Sequence, residues 1–276
     1  MAKSKKKLKL KILIIALYII AVGSLTMLLI YAIRYRNSRD AYEELESDAI
    51  TTVETVEADG TAETAESEPA VNESPEISTS VSREINVTAD WEYLKKTDHY
   101  VKGWLYGPDI GLSYPVVQYK NNEYFLTRNF ERKNDEAGTL FFDYRNEMGM
   151  GLENWILYGH RRNDGSMFGN LKRYGREEYY LKHPVIYLLT PNQNYRIELF
   201  SCRTVQAAAD PKYYTLFFAS KEEMEKYILK AKQQSYWESI YDEGTDYPLI
   251  TLSTCTTYGD KEENRLLLTG WLVPID

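Results

Sequence analysis

Residues 12–33 read ILIIALYIIAVGSLTMLLIYAI, 22 residues without a charge. At about 1.5 Å per residue, a helix of this length spans a hydrocarbon core of about 30 Å. Six lysines precede it (Lys3, Lys5, Lys6, Lys7, Lys9 and Lys11) and three arginines follow (Arg34, Arg36 and Arg39). The lysine excess places residues 1–11 inside the cell, as a basic cytoplasmic tail, and the chain after residue 33 outside. A cleaved signal peptide would carry an apolar region of about 7–15 residues and a small-x-small cleavage site. The run here is longer and is followed by RYRNSR, so it reads as an uncleaved single-pass anchor in the cell membrane.

Charge divides the rest. Residues 40–83 hold thirteen acidic side chains and one basic one, Arg83, in a background of Glu, Thr, Ser and Ala. One-sided charge with so little apolar surface does not offset the entropy of ordering, so residues 34–84 are expected to form a disordered acidic stalk. Residues 85–276 carry a net charge of −4 and most of the aromatic residues. That is the expected folded domain, and its charge argues against a nucleic-acid partner.

Within it, TADWEYLKKTD (88–98) reads as a short helix capped by Thr88. Short strand-like runs follow at 101–107, 114–119, 138–144, 154–160, 184–190, 195–205, 248–255 and 264–273, with Gly, Pro, Asn and Asp between them. A second helix opens at Ser220, with Glu223 three residues on, and runs to about Trp237. About eight short strands with few helices fit a mainly β fold, a barrel or a sandwich with helical insertions.

One of only two cysteines, Cys255, ends the run ITLSTC. With period-two alternation, Ile250 and Leu252 face the core while Thr251, Ser253 and Cys255 share the other face. Alone, such a residue reads either as a small buried hydrophobe or as a nucleophile at a strand exit. A thiolate needs a base or cation beside it. Of the three histidines, His160 also ends an apolar strand; His183 precedes a proline and His99 follows the first helix. Arg265 begins the last strand, ten residues after Cys255, and a hairpin across 256–263 would bring it close. Cys202, in YRIELFSCRTV, reads as a bystander thiol, the alternative being a disulfide with Cys255, which an extracellular domain permits. No pattern points to a metal or another cofactor.

TLSTC, Arg265 ten residues on, and LYGH about a hundred residues upstream together resemble a class B sortase. VKGWLYG…SYPVVQ, GTLFFDYRN and NWILYGHRRNDGSMFGNLKRY resemble the same family, and the helix at 220–237 resembles its insertion. The resemblance implies a closed sortase-type barrel of about eight strands, with an N-terminal helix and another helix between strands six and seven. It implies a membrane-anchored cysteine transpeptidase of a Gram-positive surface. Such an enzyme cleaves a C-terminal sorting motif, NPxTx- or PxTG-like, after Thr and joins the product to a peptidoglycan amine. Carried over, Cys255 is the nucleophile, His160 the proton donor and acceptor, and Arg265 the ligand of the substrate carbonyl. Ser253 and Thr254 are expected to line the substrate site. Two alternatives remain open on sequence: a cysteine hydrolase using the same residues, and a non-catalytic surface module binding through its tyrosines.

Overall fold

The computed structural model describes residues 2–52, 87–149, 151–206, 215–254 and 264–275. Eight strands close into a barrel: β3 (Val101–Gly107), β4 (Leu112–Val117), β5 (Leu140–Phe142), β6 (Asn154–Gly159), β7 (Val185–Leu189), β8 (Asn194–Gln206), β9 (Leu249–Thr254) and β10 (Asn264–Ile275). Their order is β10-β8-β7-β3-β4-β5-β6-β9, closing back onto β10. Closure leaves no free sheet edge. Two neighbouring pairs are parallel, β4 with β5 and β6 with β9. The helix α4 (Lys221–Gln233) lies between β8 and β9, the sixth and seventh strands of the barrel.

The core follows the strand alternation. Ile250 and Leu252 are fully buried in the main cluster with Trp104, Leu105, Ile197 and Leu268. Leu249 instead joins Phe200, Trp271, Met224 and Ile228, the layer beneath α4. Ser220 caps α4 by accepting from Glu223 N at 3.2 Å, and Glu223 reaches back to Ala219 N at 2.8 Å. The helix stops at Gln233, short of the expected Trp237. Trp237 instead stacks on Tyr180 at 3.6 Å and donates to Tyr174 O at 2.7 Å, contacts that a continuing helix would not supply.

Two expectations near the N-terminus change. The short helix α2 (Trp91–Thr97) is capped by Asp90, whose carboxylate accepts from Tyr93 N, while Thr88 lies in β2 (Val87–Ala89). Residues 34–52 do not form a stalk. A single helix, α1, runs Ala2–Ala49, and β1 (Ile50–Thr52) pairs with β2. The reason is a stripe at i, i+7, i+10 and i+14: Tyr35, Tyr42, Leu45 and Ala49. Tyr42, Leu45 and Ala49 are buried against the barrel, which offsets the charge of their neighbours. The remainder of the expected stalk, 53–84, lies outside the described residues. Along 12–33 the helix is exposed, and it is long and apolar enough to cross a membrane.

Candidate active site

Three strands converge at one end of the barrel. In the parallel pair, Gly159 of β6 stands beside Thr254 of β9. In the antiparallel pair, Leu267 of β10 stands opposite Ser253. His160 follows Gly159 directly, and Arg265 lies two residues before Leu267. Gly159 sits where a Cβ would meet Leu140 and Phe168 at 2.5–2.7 Å, so only glycine brings the chain this close before it turns out at His160.

His160 is half-buried, and its Nε2 lies 2.7 Å from Leu126 O. A carbonyl only accepts, so Nε2 carries the hydrogen and Nδ1 is the basic nitrogen of the neutral ring. Leu126 belongs to a 3-10 turn, Tyr124–Thr127, and its carbonyl is backed by Gly138. Gly138 has φ +63°, and a Cβ there would stand 2.7 Å from Phe125 O and 2.8 Å from Leu126 O. On the other side, Phe168 N donates to His160 O at 3.0 Å, closing the turn that contains Asp164. Leu126 and Gly138 are thus orienting residues that strand-end reasoning missed. A backbone carbonyl has no side-chain signature, and the glycine of GTLFFDYRN was the only visible trace.

Arg265 Nη1 is 3.5 Å from Thr254 O, a long contact, and its buried Nε has no hydrogen-bond partner among the described residues. Among the described residues, most of its donor fork is therefore uncommitted beside the end of β9. Thr254 Oγ1 accepts from Leu266 N at 3.0 Å, tying β9 to β10. Ser253 is fully buried, and its hydroxyl also lacks a partner among the described residues. Neither Ser253 nor Thr254 presents an open surface, because both are enclosed between β6 and β10; a lining role for their side chains does not follow from this arrangement. Cys255 lies outside the described residues; it is bonded to Thr254, the last of β9.

The other candidates stay apart in chemistry. Cys202 is a free thiol with no exposure, in the main core cluster, and burial pushes its pKa up to about 12. His99 is exposed beyond Asp98, which caps α2. His183 caps the helix α3 (Glu177–Lys182), and burial lowers its pKa.

Residues 105–273 match the sortase domain family. Sortase B of Listeria monocytogenes is 36% identical over 181 residues, 65% of this chain and 72% of the relative. Among solved structures, the chain is similar to the Staphylococcus aureus sortase B–substrate complex, with TM-score 0.63 and 28% identity over 67% of this chain and 85% of that one. It is also similar to Bacillus anthracis sortase B in complex with AAEK1, with TM-score 0.68 and 26% identity over 88% of this chain and all of that one. The matched stretch runs through His160 and Arg265 on a closed eight-stranded barrel, and the chain belongs to the sortase family as a class B member, a cysteine transpeptidase that anchors proteins to the cell wall.

Proposed function

We propose that Cys255, His160 and Arg265 carry the reaction. The observation behind this is a coincidence of register. The parallel register ends at Gly159 beside Thr254, so His160 and Cys255 are each the next residue along their chains from that last pair. The antiparallel register ends at Leu267 opposite Ser253, and Arg265 and Cys255 are each two residues beyond that pair in sequence. Chain ends that leave adjacent strands at one end of a barrel stay close, so the two counts favour one cluster of imidazole, guanidinium and thiol.

In that cluster the basic Nδ1 of His160 takes the Cys255 thiol proton as the sulfur attacks the Thr carbonyl of a bound sorting motif. The Arg265 fork holds the carbonyl oxygen as it gains charge. The peptide C–N bond breaks, His160 donates a proton to the leaving amine, and a thioacyl-enzyme remains. An amine of the peptidoglycan precursor then attacks the thioester, His160 accepts its proton, and the thiolate departs. The substrates are secreted proteins with a C-terminal NPxTx- or PxTG-like motif. The apolar part of α1 crosses the cell membrane once, with the N-terminus cytoplasmic and the barrel outside.

The test uses the full chain in detergent with a panel of fluorogenic sorting peptides, with and without amine acceptors, and mass spectrometry of the products. Cleavage after Thr, an amine adduct, and loss of both in Cys255→Ala are expected. Cleavage to the free acid whatever the acceptor would replace the transpeptidase reading of the site with a hydrolase.

A further inference from the structure

α1 is one helix through the uncharged run 12–33 and onto the barrel. Tyr35, at the start of its docked stripe, comes two residues after Ile33, about 3 Å further along the axis. Tyr35 donates its hydroxyl to Asp164. The Arg162 guanidinium lies 5.0 Å over the Tyr35 ring and 3.7 Å from Asp164. Asp164 is itself fixed, accepting from Ser166 N at 3.2 Å and Ser166 Oγ at 2.9 Å, in the turn that begins at His160. Two helical turns on, Tyr42 donates to Gly138 O at 2.6 Å, the residue that backs the Leu126 carbonyl behind His160. The docked helix thus reaches the surroundings of His160 from two directions.

The lipid headgroup layer is about 5–7 Å deep on each side of the hydrocarbon core. With the apolar run ending at Ile33, Tyr35 and whatever it touches fall within that layer. From there α1 climbs about 20 Å along the barrel wall to Ala49, where β1 meets β2. The opposite end of the barrel is marked by the β7–β8 turn: Asn194 begins β8 opposite Ile275, whereas Gln206 ends it opposite Asn264, beside Arg265. Thirteen residues of tilted strand separate those ends by roughly 30 Å.

We propose that the membrane surface is itself a docking partner of the barrel. The Tyr35–Asp164–Arg162 clamp seats the His160 end in the lipid headgroup layer, with the 161–166 turn against the lipid and the β7–β8 turn pointing away. The proposal rests on the membrane-spanning reading of 12–33 and not on the assignment of the reaction.

Full-length chain carrying Cys255→Ala leaves Cys202 as the only native thiol, and Cys202 is too buried to label. Asn163→Cys or Asn192→Cys is then added, labelled with a fluorophore, and reconstituted into phosphatidylcholine–phosphatidylglycerol vesicles containing headgroup-nitroxide lipid. Quenching several-fold stronger at 163 than at 192 is expected, with most of the excess lost in Tyr35→Ala. Equal quenching at the two sites overturns the docking. An excess that Tyr35→Ala leaves intact overturns the clamp as its cause. Release of the chain by alkaline washing overturns the proposal through its anchor. Peptide cleavage by unlabelled wild-type chain, measured separately in detergent, reports on the reaction alone.

Discussion

At the scale of the residue, the orientation of His160 depends on a main-chain atom. Leu126 O holds Nε2–H, and Gly138 leaves that carbonyl the room it occupies. Gly138→Ala adds a methyl less than 3 Å from two backbone oxygens at a positive φ, so the carbonyl must shift. A shift of this size at a catalytic group is worth up to about 100-fold in kcat/KM. The expected result is a loss approaching that figure in peptide cleavage, with KM much less affected and a stability cost of about 1–2 kcal/mol. Unchanged kinetics would mean that Leu126 O does not set the ring. Arg265 presents a different test. Arg265→Lys keeps the charge and removes the planar fork, and the one side-chain hydrogen bond it loses among the described residues is the 3.5 Å approach to Thr254 O. Cleavage should fall by about 10²–10³-fold, the usual weight of an oxyanion donor, while the melting temperature stays close to wild type. A matching loss of stability would instead mark Arg265 as structural. The places of His160 and Arg265, just after β6 and at the start of β10, were legible because each ends or begins an apolar strand. The Leu126 carbonyl was not, since position in a 3-10 turn leaves no mark on residue type.

At the scale of the element, the turn from β5 to β6 is organised by Asp143, which is fully buried. Its carboxylate accepts from Arg145 Nε and Nη2, both at 2.8 Å, from Asn122 Nδ2 at 2.9 Å and from Tyr158 OH at 3.0 Å. Burial opposes the charge, but the donors from Arg145, Asn122 and Tyr158 outweigh it and hold the carboxyl below its ordinary value. A depressed pKa contributes stability that is complete above the unfolded value, about 3.9, and is lost as pH falls through the folded one. Asp143→Ala leaves these donors without their acceptor and should cost about 3 kcal/mol at pH 7. Urea unfolding should show wild type's lead shrinking below pH 4; a gap independent of pH would assign the effect to packing. Sequence pattern located most strands, because alternation and turn residues survive closure into a barrel. It over-extended β5, where 138–144 was expected and 140–142 is observed, since Asp143 serves the turn and Gly138 the carbonyl behind His160.

At the scale of the whole molecule, the boundary between anchor and domain is where sequence composition misled. Residues 40–52 are acidic enough to read as a stalk, and the stripe Tyr35, Tyr42, Leu45, Ala49 is sparse beside that charge. Only the barrel makes the stripe visible, by offering it Tyr114, Phe130 and Gly138. Tyr42 lies edge-on to Tyr114 at 5.6 Å and to Phe130 at 5.2 Å, and its hydroxyl meets Gly138 O. The barrel and the docked helix are therefore one cooperative unit, and two substitutions separate its contributions. Tyr42→Phe keeps the ring and leaves the Gly138 carbonyl without that donor, a cost of about 1 kcal/mol. Tyr42→Ala also empties the ring's site and should cost about 3–5 kcal/mol, by analogy with other buried aromatic residues. For a domain of this size each kcal/mol lowers the melting temperature by about 2–4 °C. Near-UV circular dichroism of the full chain in detergent should thus show a small shift for Phe and one of about 10 °C for Ala. If Tyr42→Ala melts like wild type, residues 34–49 do not pack on the barrel in solution, and the anchor would join the domain through a free tether rather than a rigid strut.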